Sequence, residues 1–217
     1  MGRYNFKIKL LSDTIIGSAE GFSSTIDNDV IFDEVGLPYI PSRRIKGILR
    51  DSAEELQEMF QQSGINWDFN IEEIFGAIGT TNYPTRFHLS NFFLPEYKET
   101  KEYLKKCIEK KQFGLSPNSI INFFCSLRNQ TSIDKEKGTA KKHSLRTSRV
   151  VNKGYEFWGE ANFDDEHKEI MGLICANIRR MGTKRNRGFG RISIQLFNTD
   201  KTKEIKEESF ESLEVKL

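Results

Sequence analysis

What is scarce in this sequence narrows it first. With 5 prolines and 16 glycines in 217 residues there is no collagen-like or proline-rich tract, and 37% hydrophobic residues are too many for a chain disordered throughout. The three cysteines, Cys107, Cys125 and Cys175, are odd in number, far apart and without a Cys-x-x-Cys spacing. That excludes a disulfide framework and a zinc ribbon, and predicts three ordinary thiols. The three histidines, His88, His143 and His167, show no metal-ligand spacing. No apolar run approaches the roughly 18 residues of a membrane span, and residues 1–11 alternate where a signal peptide would carry a solid apolar block. The expectation is a soluble, cytoplasmic, globular protein with no membrane partner, long enough for one enlarged domain.

Charge of one sign is also scarce overall, since 33 basic against 31 acidic side chains leave a net +2. The distribution is uneven. Residues 178–191 hold Arg179, Arg180, Lys184, Arg185, Arg187 and Arg191 with no acid, and residues 128–149 are basic against Asp134 and Glu136 alone. Residues 199–217 form a charged C-terminal tail rich in acids. Near neutrality therefore conceals local basic surfaces, which bind phosphates or simply stay solvated.

Periodicity supplies the elements. Asn5 to Leu10 alternates as a half-buried strand, and Pro41-Ser42 opens a helix with Ile45, Ile48, Leu49, Leu56 and Phe60 on one face and Ser42 as its N-cap. Residues 86–94 read as a strand through Phe87, Leu89 and Phe93, residues 96–111 as a charged helix, and residues 120–125 as an apolar run. Tyr155, Phe157, Ala161 and Phe163 alternate, residues 164–180 form an amphipathic helix, and Ile192, Ile194 and Leu196 give a last strand. Two strand-helix-strand units predict an α+β, ferredoxin-like (RRM-like) core over about 4–95 and 153–198. Residues 12–40 and 96–152 are then insertions, and the polar, basic stretch 131–149 suits an extended hairpin or a loop that orders on a partner.

Three constellations carry chemistry. A helix start flanked by Ser42, Arg43, Arg44, Lys46 and Arg50 is a phosphate site, because its free N–H groups and cations point the same way. Gly47 within that helix costs about 1 kcal/mol relative to Ala, which points to close approach of another backbone. The loop Gly182-Thr183-Lys184-Arg185-Asn186-Arg187-Gly188-Phe189-Gly190-Arg191 lets backbone approach a phosphate chain while Lys184, Arg185, Arg187 and Arg191 neutralise it. Lys141, Lys142 and Arg146 add cations from the hairpin. The third constellation is acidic: Asp27, Asp29, Asp33 and Glu34 either hold a divalent metal or orient a hydroxyl, or else cap turns and pair with Arg43 and Arg44.

Taken together, Ile26-Asp27-Asn28-Asp29-Val30-Ile31, Leu37-Pro38-Tyr39-Ile40-Pro41-Ser42 running into Lys46-Gly47-Ile48-Leu49-Arg50, Ile74-Phe75-Gly76 and Arg187-Gly188-Phe189-Gly190-Arg191 resemble the RAMP (repeat-associated mysterious protein) superfamily of CRISPR effector subunits. The best match within it is the backbone subunit of type III (Csm-like) complexes, with residues 132–140 similar to that family's thumb and residues 12–40 to its lid. The resemblance covers most of residues 4–197 and implies a subunit that polymerises along CRISPR guide RNA beside other effector subunits. In slicing members one aspartate after the first strand cuts complementary target RNA with a divalent metal (Mg²⁺ or Mn²⁺), and Asp27 stands at that position. A structural subunit without cleavage, or a guide-precursor processing endoribonuclease of the same superfamily, would share the basic elements. Three departures from the family pattern stand out: Arg43-Arg44 where small residues are frequent, Asn91 where an acid is common, and Asp29 where slicing members often carry proline.

Overall fold

The computed structural model describes residues 1–17, 26–67, 69–77, 87–134, 136–141 and 143–215. In chain order the elements are β1 (Gly2–Leu10), α1 (Ser42–Ser63), α2 (Ile71–Phe75), β2 (His88–Leu89), α3 (Tyr97–Glu109), α4 (Pro117–Phe124), β3 (Cys125–Gln130), β4 (Arg146–Val151), β5 (Glu156–Phe163), α5 (Lys168–Asn177), β6 (Ile192–Phe197) and α6 (Lys206–Glu214).

Alternation places Phe6, Ile8 and Leu10 of β1, Phe157, Ala161 and Phe163 of β5, and Ile192, Ile194 and Leu196 of β6 on one buried face. These strands pair antiparallel in the order β2-β5-β1-β6, the strand order of a ferredoxin-like sheet in which a split pair of strand-helix-strand units interleaves. Helices α1 and α5 cover that face through Ile45, Leu49, Ile170 and Ile174, and Ser52 Oγ donates to the Ile174 carbonyl at 3.0 Å. The predicted α+β class and ferredoxin-like core are the observed ones.

Several elements differ from expectation for local reasons. The strand over residues 86–94 is broken: its described part keeps two ladder residues, then Ser90 and Asn91 interrupt it so that Phe92 turns into the core and pairs with Ile40. The apolar run 120–125 is mostly helix, because Pro117 opens α4 behind a Ser116–Ser119 capping box. A short apolar run cannot distinguish helix from strand. The two insertions meet: Val35, Leu37 and Ile120 form a second small core with Leu94, Tyr97, Leu104 and Ile108. The charged tail folds as well, since α6 lies on α5 with Ser209 fully buried against Gly172.

The hairpin is present and longer than expected, running from β3 through a turn tightened by Gly138 N–H donating to the Asp134 carbonyl at 2.8 Å, and back along β4. All three cysteines are free and buried, and burial pushes the Cys125 thiol up to about 12. Among the described residues no helix is long and apolar enough to cross a membrane.

Candidate nucleic-acid interface

Three segments distant in sequence converge beside the base of the hairpin. Residues 26–30 run next to β4: the Asp27 N–H donates to the Thr147 carbonyl at 2.9 Å, and the Arg149 N–H donates to the Asn28 carbonyl at 2.9 Å. The Thr147 N–H in turn donates to Asp27 Oδ2 at 2.7 Å, while Arg146 Nη1 lies 3.2 Å from Oδ1. Asp27 keeps a third of its side chain exposed. The third segment is the glycine loop, whose Lys184 Nζ donates to Ser148 Oγ at 3.0 Å, where Asn28 Nδ2 also donates at 3.1 Å.

The other acids have structural work. Asp29 is only 3% exposed, and both its carboxylate oxygens accept from Arg149 Nη1, at 2.7 and 2.9 Å, while Oδ1 also accepts the Val30 N–H. Asp33 accepts the Val35 and Leu37 N–H groups and the Tyr97 hydroxyl, and Glu34 pairs with Lys101 at 2.9 Å. The acids do cap turns and form pairs, but with Arg146, Arg149 and Lys101 in place of Arg43 and Arg44. The position where slicing members often carry proline is therefore a buried ion pair that anchors the hairpin, and Asp27 is left as the accessible carboxylate of the pair.

The glycine loop folds as its composition requires. Lys184 is left-handed at φ 58°, a short 3-10 turn follows over Arg185–Arg187, and Gly190 at φ 76° passes so near Met181 that an added Cβ would lie 2.0 Å from its carbonyl oxygen. Burial, then Arg187, holds the Lys184 ammonium below the ordinary lysine range against the pull of Asp27. Arg185 and Arg187 are exposed. Arg191 goes elsewhere, lining a cleft of about 1030 Å³ between β6, α5 and α6.

At α1 the N-cap is Pro41, whose side chain bonds nothing, and Ser42 is the first helical residue. The missing cap arrives from the segment that follows β2: Asn91 Oδ1 accepts the Ser42 N–H at 2.9 Å, a task an acid would perform equally well. Arg43 is exposed, and the Arg44 guanidinium donates to the Gly17 carbonyl. Gly17 also lies against Thr183, so the helix start and the glycine loop border one surface. Lys46 Nζ sits 5.9 Å over the Phe87 ring, and burial, then Arg50, holds its ammonium below the usual range. The buried Arg50 Nε makes no hydrogen bond and faces Glu54 Oε1 at 3.5 Å. Among the described residues Gly47 has no neighbour outside its own helix within 4 Å of an added Cβ, so no other described backbone approaches it. Lys141 is exposed on the hairpin tip, and Lys142 lies outside the described residues.

Residue-by-residue reading could not reveal Thr147, Ser148, Asn28 or the Asp29–Arg149 pair, because each acts through a partner about 120 residues away. A divalent ion held by the protein needs several oxygen ligands and no competing cations. Here one accessible carboxylate is already engaged by Arg146 and the Thr147 N–H, with Lys184 close by. These residues do not fit a metal chelated by the chain itself.

A family model described as the RAMP superfamily matches residues 7–193. The chain belongs to the RAMP superfamily. A search of curated proteins finds no match. Among solved structures, this RAMP chain is similar to one in the type III-B Cmr-beta complex bound to cognate target RNA, with TM-score 0.64, 14% identity, and 90% of this chain and 97% of that chain covered. The apo state of the same complex gives TM-score 0.63 at 14% identity, with the same coverage. At that identity the likeness is one of fold.

Proposed function

We propose that this RAMP chain is a guide-RNA-binding subunit of a type III CRISPR effector complex, assembling in copies beside other effector subunits and cleaving complementary target RNA at Asp27. The observation that carries this reading is the convergence of one accessible carboxylate with cations from three segments, Arg146, Lys184 and, across Gly17, Arg44. Exposed cations at Arg43, Arg185 and Arg187 bind guide phosphates without regard to sequence. The solved relatives are subunits of a type III-B complex, one of them with target RNA bound. A divalent ion taking part would be held by RNA phosphates and water. Guide binding without cleavage is the second reading, favoured by the ion pair that occupies Asp27.

The test is a cleavage time course on labelled complementary RNA with the complex assembled on its guide, in Mg²⁺ and in EDTA. Asp27→Ala should abolish cleavage while guide and target binding persist, because an exposed ion pair contributes at most about 1 kcal/mol to folding. Full activity in Asp27→Ala moves the chemistry to another residue or subunit. A wild-type complex that binds but never cuts favours the second reading.

A further inference from the structure

We propose that Lys184 protonates the leaving 5′-oxygen when target RNA is cut at Asp27, a role that rests on the cleavage reading above. Transesterification of RNA needs a base at the 2′-hydroxyl and an acid at the 5′-oxygen on the far side of phosphorus. Neighbouring residues of β4 each hold one of the two candidates: the Thr147 N–H donates to Asp27 at 2.7 Å, and Ser148 Oγ accepts from Lys184 Nζ at 3.0 Å. The charged groups facing Lys184 are Asp27 from the loop, Arg146 from β4 and Arg187 from its own turn. The guanidiniums do not release protons in proteins, whereas an ammonium can. Burial and the two arginines both favour loss of that proton. The lysine also occupies a left-handed position that favours glycine, fixed by the Arg187 N–H donating to its carbonyl at 2.9 Å.

The step balances without another reactant. Asp27 takes the 2′-hydroxyl proton as the 2′-oxygen bonds to phosphorus. The bond to the 5′-oxygen breaks with its electron pair on that oxygen, and Lys184 supplies the proton it takes. The products are a 2′,3′-cyclic phosphate and a 5′-hydroxyl, and water returns the proton from Asp27 to Lys184.

The experiment uses the assembled complex and two complementary RNAs, one ordinary and one with sulfur replacing the 5′-oxygen at the mapped cut, since a thiolate leaves without protonation. Lys184→Arg keeps the charge and the guide affinity. It should lower cleavage of ordinary RNA about a hundredfold and cut the sulfur substrate nearly as fast as wild type. The wild-type rate should fall at alkaline pH as Lys184 loses its proton, and Lys184→Arg should lack that fall. Equal losses on both RNAs, an unchanged rate on ordinary RNA, or a persistent alkaline fall overturns the inference while cleavage at Asp27 stands. No cleavage by the wild-type complex overturns the cleavage reading and this role with it.

Discussion

The four-stranded sheet and the two-stranded hairpin are held in place by different forces. In the sheet every second residue of β1, β5 and β6 is buried, so register follows from a continuous apolar face and a one-residue slip would expose all of it. In the hairpin Leu127, Ile133 and Leu145 are 56%, 65% and 58% exposed, and among its described residues apolar burial is confined to the base, at Cys125, Val150 and Val151. Beside that short apolar contact its base is held by polar ties: Asp29 to Arg149, Ser148 to Asn28 and Lys184, and Ser126 Oγ to Asn152 Oδ1 at 2.6 Å. Burial is non-directional and distributes its stabilisation over many residues, whereas a few directional bonds concentrate it. The accessible acid and its neighbouring cations sit on the directional side of that division.

Breaking the sheet gives the largest effect. Phe6 is fully buried and meets Phe92 edge-on at 6.2 Å, so Phe6→Ala should cost about 4 kcal/mol and lower the whole unfolding transition in chemical denaturation. Breaking the hairpin's anchor comes next. Asp29→Ala strands the Arg149 guanidinium, which is 17% exposed and can partly reach water, so the loss should be about 3 kcal/mol. Hydrogen exchange should rise first in β3 and β4 while β1 stays protected; equal loss of protection in both would merge the two regions into one cooperative unit. Removing the tip should do least. Replacing residues 134–144 by Asn-Gly deletes a stretch whose described residues bury no large apolar side chain, so denaturation should shift by no more than about 0.5 kcal/mol. The shortened protein should nonetheless lose ordered multi-copy assembly on guide RNA, read by size and electron microscopy. A large drop in stability would place the tip in the core.

Legibility followed the same division. The alternation in β1, β5 and β6 and the one-sided helix α1 were readable because burial imposes periods of two and 3.6 on the sequence itself. The polar ties impose no period. Nothing near Asp29 marks Arg149 as its partner, and an N-cap read from Ser42 misses that Asn91 supplies the acceptor from about 50 residues away.

By itself, then, the sequence determined the α+β class, the ferredoxin-like order of its main elements, the three reduced thiols and the two basic segments, all consequences of local pattern and composition. Only the tertiary structure decided which acid is buried and which is accessible, that the glycine loop meets the hairpin at Ser148, and that Arg191 faces a different cleft. The physical reason is separation along the chain. A hydrophobic period is written into neighbouring residues, whereas an ion pair or a shared hydroxyl exists only once folding has closed loops of about 120 residues, and many side chains of the same type were equally eligible before that closure.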